Sequence, residues 1–254
     1  MIARDRSVTS RPGSRRVGLS RRAAIAAIAL ALVHGMAGAQ DGTADAGSFS
    51  VLQGGVRIGR EVFTIRETPP PDAGYVVEGT AVYPTRRLVP LLHTDSTGAP
   101  VRYEVESLVG DRRQEQLALE IVRGRGRERV QTRSGETASE FRIDPSARLL
   151  DDDVFAQYYF IVRAVVRPRR PGIGQVVVVP MLIPRRAGAT PASISVVGDE
   201  RIEIGGQTKS AIHLRIEPAA GAPCDVWADE VGRVLRVSIP TRGLVATRDE
   251  LPAP

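Results

Sequence analysis

Between residue 40 and the C-terminus one stretch, Leu150 to Val166 (LDDDVFAQYYFIVRAVV), reads as helix, while every other patterned stretch reads as strand. That leaves few architectures open, because a lone helix with a wide apolar surface has to be covered by sheet. At about 100° per residue, Val154, Phe155, Tyr158, Tyr159, Ile161, Val162, Val165 and Val166 fill the apolar arc. Asp152, Asp153, Gln157, Arg163 and Arg167 share a narrower polar arc with Phe160. Asp151, Asp152 and Asp153 predict the N-cap and first turn, where unpaired N–H groups and the helix dipole favour negative charge, and Arg167-Pro168 predicts the stop. The expected helix is therefore 151–166. Four of the chain's ten Phe and Tyr residues lie in it, so it should dominate the core. Phe155, Tyr158, Tyr159 and Val162 are also the side chains that would line a ligand if the helix bordered a cleft.

Around this helix the sequence alternates with period 2. Before it, strands are predicted at 48–53, 56–67, 74–83, 87–94, 100–109, 113–123, 128–133 and 138–143; after it, at 175–183, 193–197, 200–204, 208–217, 224–228, 233–239 and 244–248. Residues 40–47 read as a leader without structure. Short turns carrying Gly, Pro or Asp separate the strands, and Gly198-Asp199 and Gly205-Gly206 read as hairpin turns. Parallel pairing needs long crossovers, so this spacing predicts antiparallel meanders. Two turns echo each other: Asp95-Ser96-Thr97-Gly98 and Asp229-Glu230-Val231-Gly232 share D-x-x-G. In both, the aspartate is expected to bond nearby N–H groups and the glycine to take positive φ.

The first 39 residues read as an export signal rather than as part of the fold. A basic lead from Arg4 to Arg22 is followed by the apolar core Ala23–Val33 and the small-residue site Ala37-Gly38-Ala39. The mature chain is expected to begin near Gln40 and to contain no transmembrane segment. Arg21-Arg22 points to the twin-arginine route, with the general secretory route as the alternative. The signal also explains the formal charge of +6: setting its seven Arg and one Asp aside from 35 basic and 29 acidic residues leaves 28 of each. No nucleic-acid partner is expected of a neutral mature chain. One cysteine, Cys224, excludes an internal disulfide, so residues 40–254 are expected to form a single β-rich domain held by its core.

Reactive chemistry is sparse. His93, His213 and Cys224 are too scattered in sequence to predict a metal centre, and no cofactor is expected. No G-x-S-x-G elbow is present, and Gly124-Arg125-Gly126 and Gly172-Ile173-Gly174 lack the third glycine of a phosphate loop. The chain is thus not expected to be an enzyme. Arg123, Arg125, Arg127 and Arg129 fall on one face at strand spacing, where they form either an anion-binding surface or a charged edge strand that blocks aggregation.

Three elements, Asp225 to Leu251, the G-x-x-I-G-x-E element at Gly55–Glu61 and the aspartate-led aromatic helix, together resemble exported bacterial proteins of the DUF3108-like group. These are similar in shape to lipoprotein carriers and receptors of the LolA and LolB type. The resemblance implies a mainly β fold, a single curved antiparallel sheet or half-open β-barrel wrapped around one central α-helix. It further implies a periplasmic or secreted, non-catalytic protein whose concave face takes a lipid, a lipidated protein or another amphiphile. The alternative is an envelope structural or protein-interaction module without a small-molecule ligand.

Overall fold

The structure, a computed structural model, describes residues 42–253 apart from 168 and 187. The expected export signal of residues 1–39 lies outside the described residues. Alternation becomes strand nearly everywhere it was expected. Before the helix come β1 (Thr43–Gln53), β2 (Val56–Thr68), β3 (Gly74–Val82), β4 (Arg87–Asp95), β5 (Pro100–Val109), β6 (Arg112–Val122), β7 (Arg125–Thr132), β8 (Gly135–Arg142) and the two-residue β9 (Arg148–Leu149). After α1 (Tyr158–Val166) come β10 (Val176–Leu182), β11 (Ala189–Ile204), β12 (Gln207–Pro218), β13 (Cys224–Ala228), β14 (Val234–Ile239) and β15 (Leu244–Arg248).

All fifteen strands join one sheet in the order β8-β7-β6-β5-β4-β3-β2-β1-β15-β14-β13-β12-β11-β10-β9. Two meanders meet where β1 pairs antiparallel with β15, Phe49 opposite Arg248. The β9–β10 pair is parallel. The outer strands β8 and β9 do not pair with each other, so the barrel stays open along one side.

The larger apolar cluster holds the inward residues of both meanders together with the helix: Phe49 and Val51 of β1, Phe63 and Ile65 of β2, Tyr103 of β5, Leu214 of β12 and Val237 of β14 all belong to it. Seven of the nine residues of α1 are buried. The sheet therefore wraps the helix, and the helix fills the concave face. Aromatic rings do much of the filling: Phe49 stacks on Phe63 at 5.3 Å, and Phe160 meets Tyr75 edge-on at 5.5 Å. A smaller cluster of Ile202, Ile204, Ala211 and Leu235 packs the β11–β12 hairpin separately.

The structure corrects the expected helix. It begins at Tyr158 rather than at Asp151, because Asp153 has φ of 63°, in the left-handed region that a helix does not continue through. Residues 150–157 form turns, and the first bonds of the helix are of the i to i−3 kind, from Tyr158 N–H to Phe155 O and from Tyr159 N–H to Ala156 O. The aspartates are not its cap; Gln157 is the N-cap residue and makes no capping side-chain bond. Part of the expected polar arc is also enclosed: Gln157 is buried, while Asp152 and Arg167 stay exposed. Phe160 is 3% exposed, and the Arg163 guanidinium lies over the rings of Tyr75 and Tyr159 at 5.2 and 5.1 Å.

Two further differences concern strands. β1 starts at Thr43, so most of the expected leader pairs with β2. The expected break at Gly198-Asp199 is instead a bulge in the 16-residue β11, with Gly198 opposite His213 and Asp199 opposite Ile212. The two D-x-x-G turns behave alike. Asp95 Oδ1 accepts the N–H groups of Thr97 and Ala99, and Asp229 Oδ1 those of Val231 and Arg233. Gly98 and Gly232 have φ of 86° and 90°, and both press on the helix: a Cβ on Gly98 would stand 2.8 Å from Phe160 Cδ1, and one on Gly232 3.0 Å from Arg163 Cγ.

Candidate functional site

The turns before α1 sit in a mouth of the half-open barrel, where a cavity of about 660 Å³ is bounded by Asp151, Asp152, Asp153 and Tyr158 on one side and by Met181, Ile183 and Ile239 on the other. Four arginines and four carboxylates share its wall. Asp153 receives Arg86 through Oδ2 and Arg242 through Oδ1, the latter at 2.6 Å, and its carbonyl takes the Tyr83 hydroxyl at 2.8 Å. Asp151 receives Arg185 at 2.8 Å and the Tyr103 hydroxyl at 2.7 Å, while its N–H donates to Gln157 Oε1 at 2.6 Å. Burial pushes the Asp151 carboxyl up in pKa, against the pull of Arg185 and of the hydroxyl. Arg185 also binds Glu115 at 2.7 Å, and its backbone N–H donates to the buried Glu128 at 2.9 Å, which ties the loop after β10 to β6 and β7. This mouth is a lattice of ion pairs with little charge left over.

Beneath it lies the group that replaces the expected aspartate cap. Glu61, inward on β2 and fully buried, accepts the N–H of Phe155 at 2.6 Å and that of Ala156 at 3.1 Å. Its place beside Phe63 and Ile65 on one face of the strand follows from alternation. Nothing local signals its partner, because the two segments are far apart in sequence.

Of the side chains expected to line a ligand, Tyr158 alone borders this cavity. Phe155, Tyr159 and Val162 are packed in the core at 1%, 3% and 0% exposure. The arginine face is divided. Arg125, Arg127 and Arg129 point outward from β7, where Glu140 meets the first two and Glu136 the third, whereas Arg123 precedes the strand in a turn with φ of 52°. That corrects the four-residue face: strand spacing cannot extend through a left-handed residue. β7 is also not an edge; β8 is, and it supplies the carboxylates. Such exposed pairs are screened by solvent and neutralise the surface locally.

Cys224 is buried beside Tyr158, and burial pushes its thiol up to about 11. His213 stands between Glu200 Oε1 at 2.7 Å and Asp225 Oδ1 at 3.0 Å and stacks on Trp227 at 4.5 Å. The sign was available in the alternation that turns His213 and Trp227 outward, but only the register, which sets them opposite each other, reveals the cluster.

A half-open sheet around a filling helix defines a β-barrel-like protein. The structure is similar to a crystal structure of a β-barrel-like protein of domain of unknown function DUF1849 from Brucella abortus, with 6% identity, a TM-score of 0.54 and coverage of 82% of this chain and 96% of that one. It is also similar to a DUF1089 family protein from Pseudomonas aeruginosa, with 13% identity, a TM-score of 0.42 and coverage of 69% and 87%. No protein-family model matches the chain, and no curated protein matches it. The likeness to the DUF1849 structure agrees with the half-open barrel expected from the sequence and concerns the fold alone.

Proposed function

We propose that this is an exported, non-catalytic periplasmic protein that binds an amphiphile at a rim of its barrel rather than across its concave face. The observation that carries the reading is the filled interior. Phe49, Tyr103, Phe155 and Ile161 are at most 1% exposed, so an acyl chain could enter only by displacing α1. Such an exchange would expose an apolar helix at roughly 25 cal/mol per Å². The open volume lies instead in cavities near the two ends of α1, about 660 Å³ beside Asp151–Asp153 and about 680 Å³ beside Arg163 and Arg167, within the range of small-ligand sites. Export is supported by the composition of residues 1–39, with their basic lead, short apolar core and small-residue site. The DUF3108-like resemblance supports an envelope role, and the LolA and LolB likeness supports an amphiphilic ligand.

Native mass spectrometry of the gently purified protein tests the reading. A bound mass that organic extraction removes and identifies as amphiphile is the expected result. A bare protein mass in every preparation, with a co-purifying protein partner in its place, would favour the interaction module instead.

A further inference from the structure

Arg148 and Arg248 are the two arginines among the described residues that are nearly buried, at 7% and 2% exposure. They are treated differently. Arg248 reaches both oxygens of Asp45, at 2.7 and 3.0 Å, as a buried guanidinium ordinarily must to offset its desolvation. Arg148 meets only neutral carbonyls, those of Ser146 at 2.7 Å, Ala147 at 3.0 Å and Thr97 at 3.0 Å, and its Nε has no partner. The Asp95 charge acts on it from outside hydrogen-bond reach, its Oδ1 being held by the N–H groups of Thr97 and Ala99.

Arg148 lines the rim cavity of about 680 Å³ together with Arg163 and Arg167. Among the described residues neither of these makes an ion pair: Arg163 donates to the Tyr159 hydroxyl, and Arg167 is exposed. Glu230 is the single carboxylate in the wall, so three guanidinium groups face one acid. The opposite rim holds four of each, and three of its arginines, Arg86, Arg185 and Arg242, are ion-paired with Asp151 or Asp153. Tyr75 and Phe160 supply the apolar wall beside the arginines.

We infer that this rim is the site of an oxyanion, a phosphate or carboxylate head group, held by Arg148, Arg163 and Arg167. Guanidinium forks suit such oxygens. The inference rests on the rim-binding reading but is separable from it. Calorimetric titrations of the purified protein with dodecyl phosphate below its micellar concentration, inorganic phosphate and neutral dodecyl maltoside decide it.

Dodecyl phosphate should bind at 1:1, more weakly as salt rises, and about tenfold or more weakly in Arg163→Gln/Arg167→Gln. Arg148→Gln should do the same where it folds, while Arg57→Gln, an exposed position on β2 outside both cavities, should change nothing. Inorganic phosphate binding as tightly, with the same losses, would uphold the oxyanion site and remove the amphiphile. Equal binding of the maltoside, insensitive to the arginine changes, would uphold the amphiphile and overturn the oxyanion site. Binding of neither phosphate probe overturns it outright.

Discussion

Glu61 receives the backbone N–H of Phe155 at 2.6 Å across 94 residues of chain. With the bond from Ala156, this carboxylate satisfies two donors of the turn that leads into α1 and so fixes where the helix starts. It joins a strand of the first meander to the segment that fills the barrel.

Burial pushes the Glu61 carboxyl from 4.5 up to about 7, although both N–H groups pull the other way. Between these values the folded protein keeps a proton that the unfolded chain has lost. The stabilising contribution is therefore complete below pH 4.5 and is lost as pH rises through about 7. Its size is roughly 3 kcal/mol. Urea melts at pH 4.5, 6 and 8 should show the wild type losing stability relative to Glu61→Gln. A constant difference between the two proteins across that window contradicts the assignment.

Phe155 is 1% exposed and packs on Phe49 and Tyr158 with ring centroids 6.3 and 6.5 Å away. Phe155→Ala should lower the unfolding free energy by about 3–5 kcal/mol through the cavity it leaves. An unchanged denaturation midpoint would mean that α1 is a lid outside the cooperative core.

Gly98 and Gly232 make a controlled pair, since both have φ near 90° and both touch α1. Alanine at either should cost about 1–3 kcal/mol from backbone strain and overpacking. Gly98→Ala should be the worse, because its Cβ would meet the rigid Phe160 ring, whereas Gly232→Ala would meet an arginine stem that can shift. The order of the two thermal midpoints is the measurement.

Arg248 and Asp45 form the buried pair that stitches β15 to β1, with the guanidinium also 5.3 Å from the Phe63 ring. Arg248→Met should destabilise by about 3–5 kcal/mol, because it strands a buried carboxylate. Adding Asp45→Asn should return part of that loss. A double-mutant cycle giving no coupling would show that the pair is dispensable.

Most strands, their antiparallel meanders and both D-x-x-G turns were legible in the sequence because each is written within a few residues: alternation gives a face, and Asp95 or Asp229 gives a turn. The end of the helix at Val166 was legible for the same reason. Its start was not. Three consecutive aspartates are locally indistinguishable from a cap, and only the arrival of Arg86, Arg185 and Arg242 from three other parts of the chain turns them into the acid side of an ion lattice. Arg148 was invisible in the same way, since a missing carboxylate is a fact about neighbours rather than about sequence. Phe160 was misplaced because a helical wheel assigns a face by angle alone, whereas the Gly98 turn presses on that ring and the Gly232 turn on the stem of the half-buried Arg163.

The pairing of β1 with β15 has a consequence for how the protein can be made. Phe49 finds its partner in Arg248, so the second edge of β1 stays unsatisfied until β15 has left the ribosome. A growing chain can form hairpins such as β1–β2 early, but it cannot close the seam before its last strand exists. Loss of the final ten or so residues would leave a raw strand edge in the middle of the sheet, a template for pairing between molecules. A premature stop there is thus expected to yield aggregate rather than a shortened but working protein.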